Sequence, residues 1–291
     1  MRIHYCWVFF CFLYGCIESN QSQVKYLRDS IVSEIVTDSV FTKGIEGPAM
    51  NSKGDLFVVN FMRQGTIGIL KRDSSSFELF LTLPIGSIGN GIRFDARDNM
   101  YIADYKQHNI LFIEYGTKEV QVFCQNSNIN QPNDITLHKN GFGFASDPNW
   151  DDKTGNLLRF SKGKLEIIEK NMGTTNGIEL SPNGKKLYVN ESIQKRIWQY
   201  DVDSNGNVSN KQILAQFDDF GMDGMRCDKI GNIYLARYGK GVISILNSAG
   251  KLIDEIQLKG IKPTNITFSK QKSKLLYVTL QDRRWVEKIT F

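Results

Sequence analysis

Cysteine is scarce in this chain, and its few positions do not suit a metal cage. Five occur, of which Cys6, Cys11 and Cys16 lie near the N-terminus, leaving Cys124 and Cys227 for the rest. No Cys-x-x-Cys and no Cys/His pair at ligand spacing is present, which argues against zinc-finger chemistry. Cys124 and Cys227 stand too far apart in the repeat described below to favour a disulfide. No block of Lys and Arg exists either. The net charge of +5 comes from both signs scattered along the chain, a pattern of a solvated surface rather than of a nucleic-acid partner. Proline is scarce and aromatics are plentiful, and the apolar and charged fractions are those of a globular protein. No apolar run reaches the roughly 20 residues that a membrane-spanning helix needs. Beyond the first residues, no helical periodicity is evident.

The longest apolar run, Tyr5 to Tyr14, follows Arg2 and His4 and precedes Gly15-Cys16. Its length is that of the apolar region of a signal peptide. Leu13-Tyr14-Gly15-Cys16 is similar to a bacterial lipobox, with Tyr14 bulkier than the usual residue. The expected organisation is a lipoprotein-type signal peptide over 1–15, cleavage before a lipidated Cys16, a tether over 16–30 and one domain over 31–291. This predicts a membrane-anchored bacterial lipoprotein, in the periplasm or on the cell surface, touching the membrane only through its lipid. Simple cleavage and secretion, or a retained anchor, are the alternatives. Three glycosylation-like sequons are read as chance in that context. A monomer is expected.

The domain repeats itself. Six stretches align on Glu46, Asn90, Asn133, Asn176, Asp223 and Asn265, at steps of 44, 43, 43, 47 and 42 residues. Each contains an apolar strand, a turn rich in Gly, Asn, Asp or Lys, and a second β-rich strand. One or two further strands fill each interval. Four strands in about 44 residues is the size of a propeller blade, so the pattern predicts an all-β, six-bladed β-propeller. The last repeat has only three clear strands, and the segment Glu34 to Phe41 is expected to supply the fourth. That would close the ring and cover an open sheet edge.

In a propeller the first strand of each blade lines the axis, so the six aligned residues form an inner ring at one mouth of the tunnel. The second strand returns to the same face, which predicts an outer ring including Asn60-Phe61, Asp104-Tyr105, Asp147-Pro148, Asn190-Glu191 and Arg237-Tyr238. Every inner-ring residue carries a side-chain oxygen. Hard cations take oxygen ligands. Glu46 and Asp223 carry the charge that balances one divalent ion, and Asn133 and Asn176 add neutral oxygens. The lack of Cys and His argues against zinc or copper. Ordinary turn chemistry is the competing account, because Asn, Asp and Gly before a strand tolerate left-handed conformations and bond their own backbone. Two departures from the repeat favour a site: Glu46 is a poor turn former, and Asn133 stands between Pro132 and Asp134.

From about Ile45 onward the chain resembles the senescence-marker-protein/gluconolactonase family. The resemblance rests on Glu46-Gly47-Pro48, Pro132-Asn133-Asp134 with Ser146-Asp147-Pro148, Asn176-Gly177-Ile178 with Ser181-Pro182-Asn183-Gly184, and Asp223-Gly224-Met225. Paraoxonases and diisopropyl fluorophosphatase share the scheme more distantly. The resemblance implies a catalytic divalent ion, usually Ca²⁺, held by Glu46, Asn133, Asn176 and Asp223. It also implies hydrolysis of a lactone or related ester. A paraoxonase-like histidine dyad has no counterpart, since His108 and His138 fall outside the ring register.

The mechanism expected on this basis is metal polarisation of a carbonyl and attack by water. Asp223 or Asp134 would take the proton, with nucleophilic attack by Asp223 as the variant. Asn90, Asp104, Tyr105, Asp147, Trp150, Glu191, Arg237 and Asn265 are the candidate pocket residues, and Arg237 would favour an acidic substituent. A non-catalytic propeller binding a ligand or partner at the cell surface is the alternative from another functional class. A strictosidine-synthase-like enzyme or an NHL-type repeat protein would share the blades but not the Glu, Asn, Asn, Asp series.

Overall fold

A computed structural model describes residues 31–36, 39–272 and 274–291. The leader, Cys16 and the tether lie outside the described residues. The rest forms six four-stranded antiparallel sheets in chain order, a six-bladed propeller. Blade one shows the plan. Its strands Phe41–Met50, Leu56–Phe61, Thr66–Leu70 and Glu78–Thr82 run outward from the axis. The inner strands of blades two to six are Gly89–Phe94, Ile135–Leu137, Thr175–Leu180, Met225–Cys227 and Pro263–Phe268.

Alternation within each strand sends one set of side chains into the space between neighbouring sheets. The apolar core is therefore divided into six seams. Val59, Ile67, Ile92 and Ile102 fill the one between blades one and two. Ala103, Ile110, Ile135 and Phe160 fill the next. The series ends with Val58, Leu56 and Val286, which join blade one to blade six. Each fully buried aliphatic side chain contributes roughly 1.5–3 kcal/mol, so each seam is a substantial contact and the ring is held all the way round. Cys124 and Cys227 lie in different seams and both are free.

Blade six is completed by an N-terminal strand, but a shorter and earlier one than the sequence suggested. Val32–Ile35 pairs antiparallel with Trp285–Thr290, Val32 opposite Thr290 and Ile35 opposite Glu287. Lys288 pairs with Glu34 at 2.6 Å. Phe41 belongs to blade one instead. It is buried against the edges of Phe61 and Phe77 at 5.5 and 5.1 Å between ring centroids, and that aromatic cluster draws the chain off blade six.

Candidate metal centre

The aligned residues sit where the inner strands begin, at one mouth of the tunnel. Simple alternation would bring every second residue to the axis. In blades one, two, four and six, the pairing with the second strand shifts at the ring position, between Glu46 and Ala49, Gly89 and Ile92, Thr175 and Ile178, and Pro263 and Asn265. Such a bulge re-aims side chains. It lets a residue and the third one after it both face the axis, as Asn90 with Arg93 and Asn176 with Glu179 do. In blades three and five, Asn133 and Asp223 stand just before the strand. The residue after the ring position is often glycine, because the strands crowd there. A Cβ on Gly224 would lie 2.1 Å from Cγ of Asn265, and one on Gly91 would lie 2.8 Å from Oδ1 of Asp134.

Glu46, Asn133, Asn176 and Asp223 converge at this mouth. Glu46 is buried. Its Oε2 accepts from the backbone N–H of Gly47 at 2.6 Å and from Nδ2 of Asn265 at 3.1 Å. Burial and the nearby Asp134 charge push its carboxyl up to about 7. Asp223 faces Glu46 and Asn176. Burial first, and then the Glu46 carboxylate, hold it well above the usual carboxylate range. Oδ1 of Asn133 and Oδ1 of Asn176 are buried and accept no hydrogen bond within the protein. Buried acceptors are normally paired, and leaving one unpaired costs about 1–3 kcal/mol. Two orphan amide oxygens beside two carboxylates that repel one another form an all-oxygen donor set of the kind a hard divalent cation takes. Among the described residues, no group of three or more His, Cys, Asp or Glu is arranged to hold a metal, so the two amides are essential to the fit. It is an oxygen fit, of the kind hard cations take, and not a soft-metal cage.

Asp134 lies one step deeper and is fully buried. Its Oδ1 meets Arg93 Nη2 at 3.1 Å and its Oδ2 meets Arg226 Nη1 at 3.1 Å. Burial raises this carboxyl, but the two guanidinium groups outweigh burial and hold it below its ordinary value. A carboxylate clamped between two cations makes a poor proton acceptor. This weighs against the expectation that Asp134 could serve as a base. The same guanidiniums reach Glu179, at 3.5 Å from Arg93 and 3.7 Å from Arg226. Thr136 Oγ1 donates to Glu179 at 3.2 Å. Sequence reasoning missed Arg93, Thr136, Glu179 and Arg226. The signal was present, since each lies three residues after its ring position.

Asn265 is buried between Glu46 and Asp134, donating to both at 3.1 and 3.4 Å. Asn90 Nδ2 donates to the backbone oxygen of Asn133 at 3.2 Å and steadies that segment. Both therefore support the ring. Trp150, on a turn of blade three, is 41% exposed, and Tyr105 is half-buried. These two are available at the tunnel face.

Four other candidate pocket residues are not. Asp104, Asp147, Glu191 and Arg237 have no exposed surface. Each instead ties down the segment that leads into its own blade. Asp104 Oδ1 accepts from Ile88 N at 3.0 Å. Asp147 accepts from the backbone of Asn130 and Gln131 at 3.1 and 2.6 Å. Glu191 accepts from Gly173 N at 2.8 Å and also from Arg196 and Trp198. Arg237 reverses the polarity. It donates to the carboxylate and backbone oxygen of Asp219 and lies 3.9 Å from the centroid of the Phe217 ring. In blade one Asn60 does the same work, donating to Gly44 O at 2.6 Å. The outer ring is a set of loop braces, so Arg237 is not free to meet an acidic substituent. Asn190 adds a link between blades: its Nδ2 donates to Asp223 O at 2.6 Å and its Oδ1 accepts from Gly177 N.

His138 lies on the opposite face, stacked on Phe142 at 4.4 Å. That face also carries a groove of about 660 Å³ between blades two and three, lined by residues including Phe94, Tyr101, Phe123 and Phe160. It lies at the far end from the oxygen set.

The profile described as "SMP-30/Gluconolactonase/LRE-like region" matches residues 46–282. A gluconolactonase of Zymomonas mobilis is 28% identical over 232 residues, covering 67% of this chain and 64% of the relative. The matched stretch thus spans less than two thirds of that relative's length. A diisopropyl-fluorophosphatase of Loligo vulgaris is 23% identical over 291 aligned residues, covering 87% of this chain and 92% of the relative. Among solved structures, a calcium-binding protein, regucalcin, of Agrobacterium tumefaciens superposes with a TM-score of 0.78 at 18% identity, covering 89% of this chain and 93% of the other. The last likeness establishes the fold. Together with a profile that starts on Glu46 and runs through all six blades, it leads to one conclusion: the chain belongs to the SMP-30/gluconolactonase/LRE-like family.

Proposed function

We propose that this chain is a divalent-cation-dependent hydrolase that opens a lactone or a related ester. The observation that carries the reading is the pair of buried, unpartnered amide oxygens of Asn133 and Asn176, set beside the carboxyls of Glu46 and Asp223. Glu46, Asn133, Asn176 and Asp223 would hold the ion, Ca²⁺ by the all-oxygen chemistry of the set. When bound, such an ion supplies Lewis-acid polarisation of a carbonyl oxygen. Relatives named gluconolactonase, 6-deoxy-6-sulfogluconolactonase and pentonolactonase support the lactone as substrate class.

The chain's own residues then have separable tasks. Asp223 is the proton acceptor for the attacking water, because its carboxylate belongs to the oxygen set and, unlike that of Asp134, is not clamped between guanidinium groups. Asn190 fixes the Asp223 backbone, and Asn265 fixes the Glu46 carboxylate. Tyr105 and Trp150 offer aromatic surface at the mouth. Arg93 and Arg226 keep Asp134 ionised and out of the proton transfer.

The test is hydrolysis of a panel of sugar-acid and alkyl lactones, before and after chelation and with calcium restored. Activity that disappears with chelator and returns with calcium supports the reading. Full activity in a Glu46→Gln/Asp223→Asn double variant overturns it. Tight calcium binding with no turnover on any lactone or phosphoester favours the binding-module alternative. Export and lipid anchoring at Cys16 belong to the same proposal and rest on the first sixteen residues alone. Radiolabelled palmitate should enter the full-length chain and not a Cys16→Ala variant.

A further inference from the structure

The tunnel carries more charge than the four-oxygen set needs. Below Glu46 and Asp223 lie Asp134 and Glu179, which makes four carboxyl groups along one axis. Interleaved with the lower two are Arg93 and Arg226. Arg93 reaches Asp134 at 3.1 Å and Glu179 at 3.5 Å. Arg226 reaches Asp134 at 3.1 Å and Glu179 at 3.7 Å. The four groups close a ring of alternating sign in which each cation touches both anions. All come from inner strands or the residue just before one, three of them at the third residue after the ring position in blades two, four and five. The side chains of Arg93, Asp134, Glu179 and Arg226 are 13%, 1%, 16% and 8% exposed.

Ions this far from water need compensation, because an uncompensated charge in such a place is strongly destabilising. With all four carboxyls ionised, as a bound cation requires of the upper two, four negative charges against two positive leave two over. These belong to the upper pair, Glu46 and Asp223, which have no ion pair with a guanidinium or ammonium group among the described residues. Asn265 bridges the two levels, giving one N–H₂ group to Glu46 above and Asp134 below.

We infer that Arg93 and Arg226 are built-in counter-ions of the lower tunnel, which limit the axis to a single divalent cation and, through Asp134 and Asn265, fix the orientation of Glu46. Without either guanidinium, the lower carboxylates, together with Thr136 Oγ1 and the Asn265 amide, would be a second oxygen-rich site of unbalanced charge. Arg93 and Arg226 are thus positioning and selectivity residues for the ion, and they touch neither it nor a substrate. The inference rests on the metal reading above, and the experiment separates the two.

The experiment is equilibrium dialysis of the chelator-treated domain against labelled calcium, with circular dichroism on every sample. Wild type is expected to bind one calcium per chain. Arg226→Gln and Arg93→Gln, each losing one positive charge, are expected to bind two. Arg226→Lys keeps the charge and should bind one. Arg226→Gln/Asp134→Asn loses a pair and should also bind one. Should Arg226→Gln be unfolded without calcium, added calcium is expected to restore the native spectrum with two ions bound. Two calcium ions on the wild type, or folded Arg→Gln variants that still bind one, overturn the inference. An Arg226→Gln chain that calcium cannot refold also counts against it if Arg93→Gln binds one. Wild type that binds none removes the metal reading itself.

Discussion

The two polar rings at the tunnel mouth use the same residue types for opposite ends. Inner and outer positions are both rich in Asn and Asp, both lie at strand ends on the same face, and both are largely buried. On the outer ring each of these side chains engages backbone, as Asp147 serves the N–H groups of Asn130 and Gln131 and Glu191 that of Gly173, and the atoms left over are single ones of groups already engaged, Asp104 Oδ2 and Arg237 Nε and Nη1. On the inner ring Asn133 and Asn176 keep an oxygen with no partner, and Glu46 and Asp223 repel each other. Satisfied polar groups hold a fold together. Unsatisfied ones, kept at a cost in stability, point to a ligand. Residue type does not separate the two cases here; the partners do.

The largest effect that would break this contrast is on the inner ring. The Glu46→Gln/Asp223→Asn variant should lose lactone hydrolysis by on the order of 10³-fold, as removal of strong transition-state electrostatics does. Its melting temperature should also stop responding to calcium. Steady-state kinetics and calorimetry check both.

Next comes pH. In the cation-free protein Glu46 and Asp223 bind their protons more tightly when folded than when unfolded. Through Glu46 the folded state therefore loses stability as pH rises from about 4.5, its ordinary value, toward 7, and Asp223 adds a loss of the same sign. For Glu46 alone the change is a few kcal/mol, at about 1.4 kcal/mol per unit. Denaturant unfolding in chelator at pH 5 and pH 8 should show the lower stability at pH 8. Glu46→Gln should flatten the difference, and calcium should reverse it.

The outer ring should behave differently. Asp147→Ala leaves two backbone donors without partners, so it should cost about 2–3 kcal/mol in urea unfolding. The turnover number of the protein that remains folded should stay within about twofold of wild type. A collapse of turnover at full stability would mean that Asp147 belongs to the site after all.

The smallest effect is the most diagnostic. Asn176→Ala removes an orphan acceptor. Calcium affinity should fall about tenfold, while the cation-free protein gains a few tenths of a kcal/mol or is unchanged. A loss of cation-free stability would show that Asn176 is a brace like those of the outer ring.

Much of this architecture was legible in the sequence because propeller blades repeat. The spacing of Glu46, Asn90, Asn133, Asn176, Asp223 and Asn265 gave the blade count, the face and the inner ring. What was not legible depended on partners rather than on position. Arg237 reads as an exposed cation, but its guanidinium is paired with Asp219 and lies over the Phe217 ring. Asp134 reads as a candidate base until Arg93 and Arg226, 41 residues before and 92 after it, close around its carboxylate. The clasp was placed too late in the chain because β-propensity alone does not say which sheet Phe41 will join. The Phe61 and Phe77 rings decide that. The inner ring's tie to its third neighbour was hidden because it needs a bulge, and a bulge breaks the period-two pattern by which strands are read.

The clasp of blade six has a consequence for timing. Val32–Ile35 is among the first segments of the domain to be synthesised, yet its partner Trp285–Thr290 is the last strand. Such a pairing across almost the whole domain forms late, since loop closure on that scale must precede any reward from contact. Glu46 stands on the first blade and Asp223 on the fifth, so they meet as the circle closes. A growing chain therefore presents an incomplete oxygen set until Asp223 is made, and on the proposed function capture of a cation would mark the moment at which the protein becomes whole.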